Sequence, residues 1–240
     1  MKSLVVEATR DNLVHRVARD FLDVVGEAAS ENGRVDIVLT GGTVGIDVLR
    51  EVSTRPEVDE IDWSKIRIWW GDERFVPEGD SDRNELQARE ALLNSLPLRP
   101  EHVHPFPADD GQSLESALSK FRQEFDEGFN GSPGFALVLN GMGPDGHVAS
   151  LFPGLDQGEA GDFVIAIDNS PKPPSKRLSL TFRALNSGEH VWIIAAGSDK
   201  AAAIAQVMTL EPTAECPATL LKGHESTRVY VDALAASELH

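Results

Sequence analysis

Asp145 and His147 stand two residues apart in the run Gly141-Met142-Gly143-Pro144-Asp145-Gly146-His147-Val148-Ala149-Ser150-Leu151-Phe152-Pro153-Gly154. A carboxylate that close to an imidazole can orient it or share its proton chemistry, so the pair reads as a general base with its partner. His15, His102, His104, His190, His224 and His240 sit in no comparable setting. His102 and His104 form an H-x-H, but Pro105 follows and no carboxylate cluster accompanies them, so no metal is expected. The same run contains a G-x-G-x-x-G, with Asp168 ending the next apolar stretch, which raises a dinucleotide site. Pro153, Gly154, Gly158 and Gly161 would break the long helix such a site needs, and that reading is rejected.

Three other places could hold an anion. Thr40-Gly41-Gly42-Thr43-Val44-Gly45 precedes a helical pattern: glycines let the backbone approach a ligand, and Thr hydroxyls with helix N-terminal N–H groups favour phosphate. A tight strand-to-helix turn with no ligand fits those residues equally well, and no Lys-Ser/Thr pair closes a P-loop. From Asn169 to Gly188 there are Lys172, Lys176, Arg177 and Arg183 and no Asp or Glu, which suits either a small anion or a solvated basic loop. Lys200 opens a helix after Ala196-Gly197-Ser198-Asp199, where an anion would meet its ammonium and the helix N-terminus; alone, it suits a surface residue. Gly71-Asp72-Glu73-Arg74 puts three charges at the end of a hydrophobic run, at the surface or in a polar cleft. Ser81-Asp82-Arg83-Asn84 looks like a helix start, with Ser81 or Asp82 as cap. Neither a G-x-S-x-G elbow nor an H-E-x-x-H motif occurs, so serine-esterase and zincin routes to an ester have no support.

Elements must bring these loops together. Val35–Thr40, Ile66–Trp70, Phe135–Asn140, Phe163–Ile167, Leu178–Phe182, Val191–Ala196 and Val229–Val231 read as strands, most with the continuous apolar character of a parallel sheet buried on both faces. Between them, Leu13, Val14, Val17, Phe21, Val24 and Val25 mark one helix, Ile46 and Leu49 a second, and Leu114, Ala117, Leu118, Phe121 and Phe125 a third. A further helix is expected from about Asp199 to Leu210. The alternation predicts an open, mostly parallel, doubly wound α/β sheet with helices on both faces, as a single domain over 1–240. Ligands of such sheets bind beyond the carboxyl ends of the strands, where the candidate loops lie.

Composition narrows the partners. With 22 Lys+Arg against 39 Asp+Glu the net charge is −17, a field that repels nucleic acid and anionic membranes. No stretch approaches the roughly 20 apolar residues of a membrane span, and the N-terminus lacks the long apolar core of a secretory signal, so a cytoplasmic protein is expected. Cys216, the single cysteine, stands beside Pro217 and reads as structural.

In order, LTGGTVG, WWGDERFVP with SDRNE, LNGMGPDGHVASLFPG, PPSKRLSLTF and AAGSDKA closely resemble the motifs of the glucosamine-6-phosphate isomerase/6-phosphogluconolactonase family, on its lactonase side, over Leu39 to Ala201. The GPDGHVASLFPG and GDERFVP blocks are specific to that side; the glycine and Lys blocks are shared with the deaminases. The resemblance implies a Rossmann-like α/β fold and hydrolysis of 6-phospho-D-glucono-1,5-lactone in the pentose phosphate pathway, with no redox cofactor. Carried onto this chain, it makes His147 the base that activates water, with Asp145 beside it. It makes Thr40, Gly41, Gly42, Thr43, Arg177 and Lys200 the phosphate cradle, and turns Arg74 with Asp72 toward the ring or its developing oxyanion. The family's glycine loop often reads SGGSTP, from which Thr40, Val44 and Gly45 depart. Deaminases resembling this chain carry an acid just before the proline of the D-G-H block, where Phe152 stands here, so ring-opening chemistry lacks its acid. A non-catalytic sugar-phosphate sensor could dispense with the base, and Asp145 with His147 argues against one. The expected partner is a small sugar phosphate, acted on by a monomer or small homo-oligomer.

Overall fold

The computed structural model describes residues 2–239 apart from 131, 133, 156, 160 and 210, so the expected helix end at Leu210 and His240 lie outside the described residues. The chain runs β1 (Lys2–Glu7), α1 (Arg10–Glu31), β2 (Val35–Leu39), α2 (Thr43–Ser53), β3 (Ile66–Trp70), β4 (Asp72–Arg74), α3 (Asn84–Ala91), α4 (Leu114–Phe129), β5 (Phe135–Gly141), β6 (Val164–Ile167), β7 (Arg177–Leu180), α5 (Phe182–Leu185), β8 (Gly188–Ala195), α6 (Ala201–Thr209) and β9 (Ser226–Asp232). Helix α1 forms because Leu13, Val14, Val17, Phe21 and Val25 recur on one face and are all buried, each stabilising the fold by about 1.5–3 kcal/mol. Its start is fixed by Thr9, whose hydroxyl accepts the Asn12 N–H at 3.1 Å. Among the described residues no helix is long and apolar enough to cross a membrane.

Six strands form one sheet in the order β1-β9-β8-β5-β2-β3, and every pairing in it is parallel. All five residues of β2 are buried, so both faces of the sheet's centre are covered. From β2 the chain steps outward to β3, then returns to place β5 on the other side of β2. That reversal is the topological switch point, and it opens a crevice between the carboxyl ends of β2 and β5. The Thr40 hydroxyl bridges those ends by accepting the Gly141 N–H at 3.0 Å.

The expected strands at Phe163–Ile167 and Leu178–Phe182 do not join the parallel sheet. They become β6 and β7, which pair antiparallel with each other and with β4 in a separate three-stranded sheet. The reason is the short chain between them: parallel neighbours need a crossover of a dozen or more residues, and nine residues, 168–176, link β6 to β7. The second run ends early because Phe182 starts α5. Strands β1 and β4 were not expected from the sequence; β1 is a half-exposed edge, and β4 is three charged residues long.

Candidate active site

A cavity of about 530 Å³ lies over the switch point. Thr40, Gly41, Gly42, Thr43, Asp72, Arg74, His147, Arg177 and Lys200 all line it, so the loops singled out in the sequence converge on one place. Asp145 joins them through its contact with His147.

One wall is the start of α2. Gly42 is its N-cap at φ +79°, a left-handed conformation that suits glycine, and its carbonyl accepts the Ile46 N–H at 3.0 Å. The first N–H groups of the helix, at Thr43, Val44 and Gly45, have no intrahelical partner and border the cavity, which makes this wall favourable to an anion. Gly41 is required for another reason: a Cβ there would stand 1.8 Å from Asn84 Oδ1. Gly41→Ala is therefore expected to push Asn84 aside, costing about 1–3 kcal/mol in stability and lowering activity. Thermal unfolding and turnover check this, and a variant unchanged in both would contradict the packing.

The opposite wall is the loop after β5. His147 Nδ1 lies 2.5 Å from Asp145 Oδ1, and the imidazole packs against Phe152 with ring centroids 4.4 Å apart. Gly143 leaves room for that ring, since a Cβ on it would come within 2.0 Å of His147 Cε1. Burial pulls the imidazole below its ordinary value, and the hydrogen bond and charge of Asp145 oppose this without cancelling it. Burial raises the Asp145 carboxyl, but its bonds to His147 outweigh that and hold it below the usual carboxylate range. His147 is thus neutral at pH 7, donates from Nδ1 to an ionised Asp145, and keeps the Nε2 lone pair free. Ala149 in the same loop takes φ +49°, a left-handed conformation uncommon for a residue with a Cβ. The next residue holds it there: Ser150 N–H donates to Ser179 Oγ at 3.2 Å and Ser150 Oγ to Asp72 Oδ2 at 2.6 Å. From behind, Ala218 N–H donates to the Gly146 carbonyl at 2.8 Å. Cys216 is buried against that glycine, and burial raises its thiol pKa, so it is structural as expected.

The third wall combines β4, α3 and β7. Asp72 is a junction: besides Ser150, its carboxylate accepts Asn84 Nδ2 at 3.3 Å and faces Arg177 Nη1 at 3.9 Å. It therefore orients its neighbours. Arg74 Nη1 donates to the Asp82 carbonyl at 2.7 Å and to Asn84 Oδ1 at 2.5 Å. The expected Ser81 or Asp82 cap of α3 is absent, because Glu73 supplies the cap from β4. Its carboxylate accepts the N–H groups of Arg74 (2.8 Å), Asn84 (2.8 Å) and Glu85 (2.9 Å), and these bonds with the charge of Arg83 oppose the burial that pushes it up to about 7.

Sequence reasoning missed the contributions of Arg10 and Asn84 to the lining: Arg10, at the start of α1, is paired with Asp47 of α2, and Asn84 anchors Asp72 and Arg74. Neither carries a signal in the local sequence. Lys172, named in the acid-free basic segment, lines the cavity from the Pro-rich loop, and Lys176 and Arg183 of that segment do not. The H-x-H pair is elsewhere, with His104 stacked on Trp69 at 4.0 Å. Among the described residues the cavity presents Arg10, Arg74, Lys172, Arg177 and Lys200 against Asp72 and Asp199, a cationic pocket on a chain of net charge −17. Such a pocket concentrates a small anion that the rest of the surface repels.

Comparison with known proteins agrees with this geometry. The chain is 40% identical to a 6-phosphogluconolactonase of Streptomyces coelicolor, over 98% of this chain and 94% of that one. It is 38% identical to a 6-phosphogluconolactonase of Mycobacterium leprae, over 99% and 98% of the two chains. The crystal structure of the 6-phosphogluconolactonase of Thermotoga maritima superposes with a TM-score of 0.84 at 27% identity, covering 97% of this chain and all (100%) of the other. The family model for glucosamine-6-phosphate isomerases/6-phosphogluconolactonase matches residues 8–230. With the motif loops, the parallel sheet and the switch-point cavity in agreement, this chain belongs to the glucosamine-6-phosphate isomerase/6-phosphogluconolactonase family.

Proposed function

We propose that this cavity hydrolyses 6-phospho-D-glucono-1,5-lactone to 6-phospho-D-gluconate, in the pentose phosphate pathway, and that the enzyme is a single domain working in the cytoplasm as a monomer or small homo-oligomer. The observation that carries the reading is His147, oriented by Asp145 at 2.5 Å, on the same cavity as the anion-favouring start of α2. The phosphate sits against Gly41, Gly42, Thr43 and Lys200, which leaves the lactone ring toward His147. A water between Nε2 and C1 attacks the carbonyl: its oxygen bonds to C1, its proton passes to Nε2, and the carbonyl π pair moves onto oxygen. On collapse the bond from C1 to the ring oxygen breaks, and the imidazolium returns the proton to the leaving oxygen. The carboxylic acid then ionises. A strained lactone needs no covalent intermediate for this, only a base and stabilisation of the oxyanion.

Phe152 argues against the deaminase branch. Where the deaminase pattern has an acid, this chain buries an apolar ring against His147. The test compares freshly made 6-phosphogluconolactone, corrected for spontaneous hydrolysis, with glucosamine 6-phosphate. Rapid hydrolysis of the first and no ammonia from the second is expected; the reverse would overturn the reading.

A further inference from the structure

Four of the five cations lining the cavity are committed to protein partners. Arg10 pairs with Asp47, Arg74 donates to Asp82 and Asn84, and Lys200 lies 3.1 Å from Asp199. Arg177 donates from Nε to the Pro174 carbonyl at 2.8 Å and from Nη2 to the carbonyls of Lys172 and Pro173 at 3.2 Å each. Lys172 differs: among the described residues its ammonium has no hydrogen bond or ion pair. Its backbone is nevertheless pinned. Ser170 Oγ donates to the Lys172 carbonyl at 3.0 Å and accepts the Lys172 N–H at 3.3 Å, and Ser170 N–H donates to Ser175 at 3.0 Å to close the loop. Lys172 is thus an exposed residue at the cavity wall, on a loop held by Ser170, with its ammonium open to a group that is not part of the protein.

We propose that Lys172 is a catalytic residue that stabilises the oxyanion formed at the lactone carbonyl, and that Arg177 serves chiefly as the positioning residue that holds the Lys172 loop over the cavity. The assignment rests on the lactonase reading of the same site. In the attack step the π pair arriving on the carbonyl oxygen faces the ammonium, which keeps its protons throughout; the water proton goes to His147 and returns to the ring oxygen. Electrostatics agree with that place in the cavity. The charge of Lys172 depresses the His147 imidazole, while desolvation, with the charges of Lys200 and Arg177, depresses the ammonium itself against the opposing pull of Asp145 and Asp199, so Lys172 lies between the catalytic pair and Lys200. The phosphate end already has Lys200 and the start of α2.

The experiment measures turnover of 6-phosphogluconolactone by wild type, Lys172→Met and Lys172→Arg, with two competitive inhibitors. 6-Phosphogluconate carries a phosphate and a carboxylate; sorbitol 6-phosphate carries the phosphate alone. Lys172→Met is expected to lose about 10²–10³ in kcat, with part of it restored in Lys172→Arg. It should also bind 6-phosphogluconate about 10-fold more weakly while sorbitol 6-phosphate is unaffected. Near-normal kcat in Lys172→Met would overturn the proposal, as would equal weakening of both inhibitors with kcat retained, which would make Lys172 a phosphate ligand. Wild type without lactonase activity would instead overturn the reading on which the proposal rests.

Discussion

His147→Asn is expected to lower turnover of 6-phosphogluconolactone by about 10²–10⁴, or about 3–5 kcal/mol of barrier. The size follows from what the substitution removes. Asparagine can still donate to Asp145, so the loop after β5 keeps its shape, but nothing then takes a proton from water at the position of Nε2. Binding of 6-phosphogluconate should change little, because the proposed phosphate cradle at the start of α2 lies on the wall opposite His147. Asp145→Asn is expected to cost less than His147→Asn, since it disturbs the tautomer and charge of the base without deleting it. Steady-state kinetics with product inhibition, after subtracting spontaneous hydrolysis, measures all of this. Near-normal turnover in His147→Asn would remove the base from the mechanism.

Lys200→Ala is expected to weaken 6-phosphogluconate by about 10- to 100-fold, the effect of losing one charge-assisted bond of about 1.5–3 kcal/mol. Its kcat should fall less than its affinity, because the phosphate binds alike in ground and transition states. Arg177→Ala is expected to behave differently. Its guanidinium holds three loop carbonyls and faces Asp72, so removing it should lower kcat through Lys172 as well as affinity. Inhibition constants and kcat for the two variants separate the cases. If Lys200→Ala binds 6-phosphogluconate as tightly as wild type, the phosphate lies elsewhere in the cavity.

The parallel sheet was legible in the sequence because its central strands are nearly continuous apolar runs, Asp36 of β2 excepted, followed by glycine loops, and those loops mark the strand ends where a switch-point ligand must sit. His147 with Asp145 was legible for the same reason: two residues apart, their contact needs no tertiary information. What escaped depends on distant chain segments meeting. Strand β4 is the charged triplet Asp72-Glu73-Arg74, which carries no β signal of its own and exists because β7 pairs with it. The cap of α3 comes from Glu73, 11 residues before Asn84, so the local Ser81 and Asp82 were the wrong candidates. Arg10 reaches the cavity only because α1 packs on α2, and the Arg177 side chain folds back onto its own loop, which spacing alone does not reveal.

The central claim is that a neutral His147 takes the proton from the attacking water, and the pH–rate profile of wild type against His147→Asn tests it most directly. Burial lowers the imidazole below its ordinary value, so the basic form persists to lower pH than in a free histidine. The sign follows: activity is full above that value and falls as the pH drops through the lowered pKa and the ring gains a proton. The expected result is a wild-type acid limb in kcat/KM with its midpoint below that of a free imidazole, absent from the residual activity of His147→Asn. An identical acid limb in both proteins, at comparable rates, would contradict it.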